Sequence, residues 1–119
     1  MDRRAFERLV AKALDELPTP FRDKLENVDV VVELWPSAGV LAKAGVQRPV
    51  DLLGFYEGVP QTRRTRYYGL VLPDKITIYQ KPIEMRCRTV EEIGHMVNRV
   101  LRHELAHHFG MDDDHLRKI

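Results

Sequence analysis

Three observations predict an α+β chain, with a few short strands between an N-terminal and a C-terminal helix. Apolar residues recur at helical spacing over Asp2–Leu17. Short runs rich in β-branched and aromatic residues fill the middle of the chain, and a second helical pattern runs from Thr89 to Phe109. A length of 119 residues, with no linker, repeat or low-complexity tract, is that of one domain spanning 1–119.

Each element has its own signal. In the first helix Phe6, Leu9, Val10, Ala13, Leu14 and Leu17 form one stripe, charged residues fill the other face, and Pro18 and Pro20 stop it. Phe21–Asn27 reads as a short turn or a helical turn. Val28–Leu34 (VDVVVEL) is a strand, broken by Trp35-Pro36-Ser37-Ala38-Gly39. Val40–Ala44 fits either helix or strand. Leu52–Tyr56 is a second strand, closed by Glu57-Gly58-Val59-Pro60. Tyr67–Leu72 and Lys75–Gln80 are two more strands, and Pro73-Asp74 between them predicts a tight hairpin. Pro82 ends the last strand, and Ile83–Arg88 connects onward. Thr89 and Glu92 have capping-box spacing and open the last helix. Gly94 is tolerated within it, and Val90, Ile93, Val97, Val100 and Leu101 are its core stripe.

Composition narrows the classes. Hydrophobic content of 44% with 31% charged residues is that of a folded globular chain rather than a disordered one. A formal net charge of +1 gives no overall field toward nucleic acid or membrane. The single cysteine, Cys87, cannot form an internal disulfide and reads as an incidental thiol. No signal-peptide core or membrane span stands out, so the expected compartment is the cytoplasm.

The chemistry concentrates at His103-Glu104-Leu105-Ala106-His107-His108-Phe109-Gly110-Met111-Asp112-Asp113. Helical residues advance by about 100°, so His103 and His107 fall within roughly 40° of each other, one turn apart. Both can reach one tetrahedral metal, and Glu104 is placed to act on a water there. Met96, Val100 and Gly110 fall on nearly the same line, which puts the ligand pair at the border of core and solvent. Zinc is the expected metal, since two imidazoles and a carboxylate leave it one position for water. Gly110 lets the helix end in a left-handed residue and the chain turn back. Asp113 is then the first choice of third ligand, with Asp112, Asp114 and His115 as substitutes. Three successive acids are unfavourable at a helix C-terminus unless a cation lies nearby.

At these residues the sequence resembles the zincin metallopeptidases. His103, Glu104, His107, Gly110 and Asp113 match the extended metzincin-type pattern HExxHxxGxxD. The stretches LLGFYEGVP, LPDKITIYQKPIE and HELAHHFGMDDDHL are similar to the small bacterial minimal zincin-like metallopeptidases, a family first catalogued as a domain of unknown function. That resemblance covers roughly residues 25–119. It implies a zincin-like α+β fold, a small twisted mixed sheet packed against an N-terminal helix and a C-terminal active-site helix, with zinc bound by His103, His107 and Asp113, and Glu104 as catalytic base. It also implies an edge strand that pairs with extended peptide, for which Lys75–Gln80 is the candidate. With the sequence ending at Ile119, no downstream methionine turn is expected, a departure from the metzincin pattern. The other wall of a cleft is then expected from upstream segments or another subunit, and oligomeric state is left open.

The leading expectation is a zinc-dependent peptidase. A zinc-binding module that holds peptide without turnover is the alternative. A weaker one is nucleic-acid binding through Arg63, Arg64 and Arg66 beside Tyr67 and Tyr68, although QTRRTR reads more simply as a solvated loop. His108 is expected to face the core side rather than a metal, and His95 the surface. Met85 and Met111 read as packing residues, and Tyr67, Tyr68 or Tyr79 are candidate oxyanion donors.

Overall fold

The fold is taken from a computed structural model, which describes residues 1–58 and 72–111. Helix α1 spans Arg3–Asp15 and begins where the Asp2 carboxylate accepts the Ala5 N–H at 2.7 Å. Phe6, Val10 and Ala13 are its buried stripe, with Leu9 and Leu14 packed beside them. A short helix, α2 (Thr19–Arg22), and a 3₁₀ turn (Asp23–Leu25) follow, so the turn expected at Phe21–Asn27 is a helical one. Strand β1 is Val28–Glu33. Val40–Ala44 resolves as helix: α3 spans Ala38–Ala44, capped by Ser37 and closed by Gly45 at φ 70°.

Strand β2 is Gly54–Glu57 and β3 is Asp74–Tyr79. The sheet order is β1-β3-β2, with β1 parallel and β2 antiparallel to β3. One expectation falls here. Lys75–Gln80 is not an edge strand: β3 is central, with β1 pairing along all of it and β2 along Lys75–Ile78. The expected strand Tyr67–Leu72, and with it the hairpin, lies outside the described residues but for Leu72. Ile76 and Ile78 on one face of β3 and Thr77 and Tyr79 on the other are all buried, so this strand is covered on both faces.

The register assigns the faces. Val28, Val30, Val32, Ile76, Ile78, Gly54 and Tyr56 share the side that meets the helices. On the opposite side Glu57 forms ion pairs with Lys75 at 3.7 Å and with Lys43 of α3 at 3.6 Å. Helix α4 (Gln80–Glu84) follows β3 directly, so Pro82 sits inside its first turn, where a missing N–H costs nothing.

Helix α5 spans Val90–Phe109. Thr89 Oγ1 accepts the Glu92 N–H at 3.1 Å, while the Glu92 carboxylate takes the Arg88 N–H, one residue before the cap itself. Ile93, Val97, Val100, Leu101, Leu105 and Ala106 are buried against α1 and the sheet. Val90 is not part of that stripe; at the first position of the helix it is 56% exposed. Met85 is likewise exposed rather than packing, since α4 has ended and the chain is turning toward α5. Cys87 packs against the core, and burial pushes its thiol pKa up, which suits an inert side chain.

Candidate metal centre

Two local devices place the histidines. The long apolar stripe fixes the roll of α5 on the sheet, and a close contact fixes its distance. A Cβ on Gly54 would lie 2.5 Å from Val100 Cγ1 and 3.3 Å from the Thr77 carbonyl oxygen. Only glycine lets β2 approach α5 so closely. Beside that contact opens a cleft of about 550 Å³ between α5 and the segment Asp51–Gly54. Leu52, Met96 and Val100 supply its apolar lining, and His103 and Glu104 its chemical side.

His103 and His107 are both exposed, one turn apart on the same face of α5. Glu104 lies about 100° round the helix from His103, toward the buried stripe. It is half-buried, and desolvation pushes its carboxyl up to about 7. A cation at the imidazoles would draw that value down by favouring the carboxylate. The helix ends as the motif needs it to. Gly110 takes φ 65°, and the Met111 N–H returns to the Ala106 carbonyl at 2.9 Å, so the chain reverses there. Met111 packs against the core, as a packing residue should.

Asp113, Asp112, Asp114 and His115 lie outside the described residues, as do Arg63, Arg64, Arg66, Tyr67 and Tyr68. Among the described residues no three His, Cys, Asp or Glu side chains converge as a metal-holding group. The donors that are described fit zinc nonetheless. They are two imidazoles on an exposed rim with an adjoining carboxylate backed by apolar side chains, a set that leaves one side open.

His108 points away from that rim. Its ring stacks on Tyr56 at 3.7 Å between centroids, and its Nε2 lies 3.9 Å from Asp74 Oδ2, which also accepts the Tyr56 hydroxyl at 2.6 Å. This ties the end of α5 to β2 and β3. His95 is exposed, as expected. Tyr79 is fully buried, and burial, with the charges of Glu33 and Glu57, pushes its phenol to about 12. It is no open oxyanion donor.

Sequence reading missed Asp51–Gly54, Arg86 and Arg99 as cleft residues. The available signal was Gly54, a glycine inside a strand pattern, which marks close backbone approach.

A profile of the zincin-like metallopeptidases matches residues 25–119. The chain belongs to that family. The matched span holds every strand and the whole of α5, while α1, which packs on α5, precedes it. No curated protein matches the chain. Among the described residues no helix is long and apolar enough to cross a membrane.

Proposed function

We propose that the chain is a zinc-dependent peptidase in which His103, His107 and Asp113 hold the metal and Glu104 is the general base. The observation that carries this reading is Glu104: an acid half-buried in an apolar-backed cleft, on the helix that presents two exposed imidazoles beside it. Zinc, when bound, supplies an electrophile that acidifies water and polarises a carbonyl. Glu104 takes a proton from the attacking water and returns it to the leaving amine. A carboxylate held half-buried beside the imidazoles is placed for both transfers.

The substrate follows the geometry of the sheet. With β3 enclosed, the strand bordering the cleft is β2, and its outer flank is unpaired among the described residues. Extended peptide laid there would gain main-chain hydrogen bonds with little demand on sequence.

Glu104→Gln tests the assignment. It is expected to keep stoichiometric zinc and lose peptide hydrolysis by at least about a hundredfold. Hydrolysis retained in the zinc-loaded variant would remove Glu104 from the mechanism. Equal peptide binding with no turnover in either protein would make the chain a zinc-holding binding module instead.

A further inference from the structure

The cleft beside α5 is charged as well as apolar. Two arginines line it, Arg86 from the α4–α5 connection and Arg99 from α5. They are differently engaged. Arg86 Nη1 donates to the Val50 carbonyl at 2.6 Å and the Pro82 carbonyl at 3.3 Å, and its Nη2 lies 3.6 Å from Asp51 Oδ1. Asp51 is also gripped by Arg48, through Nε at 2.9 Å and Nη2 at 3.3 Å. The carboxylate at that end is therefore already shared by two guanidiniums. Arg99 has no hydrogen bond or ion pair with any described residue, and its side chain is exposed at the cleft.

Arg99 also stands one helical turn before His103. Side chains four apart on a helix are neighbours, about 5–6 Å between Cβ atoms. An extended peptide advances about 3.3 Å per residue. A group held by Arg99 would then lie within about two residues of a bond presented to His103 and Glu104. A guanidinium on an apolar floor binds a carboxylate well: its forked N–H groups match two oxygens, and Leu52, Met96 and Val100 reduce competition from water. The bland alternative, a solvated arginine on a helix rim, predicts no selectivity.

We propose that this cleft selects peptides carrying a carboxylate within about two residues of the presented bond, with Arg99 as the specificity-determining residue and Arg86 as the fixed charge beside it. The position of the bond rests on the peptidase reading above, whereas carboxylate binding does not. The carboxylate can come from an Asp or Glu side chain or from a free C-terminus, and the two make different enzymes.

The test uses zinc-loaded Glu104→Gln protein and three fluorescent peptides read by anisotropy. One is amidated with a central Glu, one is its amidated Gln counterpart, and the third has the Gln sequence with a free C-terminal carboxylate. One carboxylate peptide is expected to bind about tenfold or more tighter than the amidated Gln peptide, and the tighter one identifies the source. Adding Arg99→Gln should bring the ratio near one, and Arg99→Glu should reverse it. Circular dichroism of each variant confirms folding. Equal binding of all three peptides, no binding of any, or a ratio unchanged by Arg99→Gln would overturn the proposal. Should the preference stand while the wild-type protein leaves every peptide intact, the peptidase reading fails and the carboxylate site survives.

Discussion

Helix α5 runs between two hollows, one against Asp51–Gly54 and one against α1, and they differ in what closes them. The first is about 550 Å³ and is bounded by a strand end that glycine brings close. The second is about 360 Å³ and is a seam between two helices, lined by Leu9, Lys12 and Glu16 of α1 and by His95 and Arg102 of α5. Helices satisfy their own backbone, so a seam between two of them offers only side chains. Several of those are already engaged. Asn98 donates to the Ala13 carbonyl at 3.4 Å, and the Arg102 guanidinium lies over the Phe21 ring. The cleft is different because a strand flank, an acid forced into apolar surroundings and the exposed imidazole of His103 meet there. A histidine and acids line each hollow, so residue type alone does not separate them; their surroundings do.

Several changes would break or sharpen that contrast. The largest expected effect is on zinc. His107→Ala should lower zinc affinity by on the order of a hundredfold or more, read by metal analysis after dialysis against a chelator, while His95→Ala in the other hollow should leave it unchanged. Equal losses from both would show that the two hollows are not distinct in this way. Next is the seating of α5 itself. Leu105→Ala should cost about 2–5 kcal/mol in denaturant unfolding, because Leu105 is fully buried and its removal leaves a cavity. A cost under about 1 kcal/mol would mean that α5 is not seated as described.

Gly54→Ala acts on one hollow alone. The added methyl meets Val100 at 2.5 Å, so it should cost about 1–3 kcal/mol and spread β2 from α5. Val100→Ala in the same chain should recover part of the loss; no recovery would place the strain elsewhere. The smallest effect is expected at the start of α5, which serves both hollows alike. Thr89→Ala removes the cap on the Glu92 N–H and should cost about 1 kcal/mol in thermal unfolding without changing zinc affinity.

The pattern of successes and misses in the sequence follows the range of the forces involved. Helix α1, its Asp2 start and its proline stop, and α5 with its Thr89 cap and Gly110 reversal, were legible because they depend on neighbours within one or two turns. The facing of His103 and His107 and the apolar backing from Val100 followed from helical periodicity alone. The division of labour among the strands did not. Lys75–Gln80 reads as a plausible edge, yet β3 lies at the centre, because a strand's flanks are set by which distant segments pair with it. Val40–Ala44 stayed ambiguous until Ser37 and Gly45 were seen to cap it from both sides.

The amino-acid order by itself determined the α+β class, the two amphipathic helices and the presence of an HExxH helix turned back by glycine. These are local consequences of side-chain period and backbone freedom. Only the tertiary structure decided that β2 rather than β3 borders the cleft, that Glu104 is desolvated, and that Arg86 and Arg99 share its mouth. Those outcomes depend on contacts between residues far apart in the chain, which no local pattern encodes.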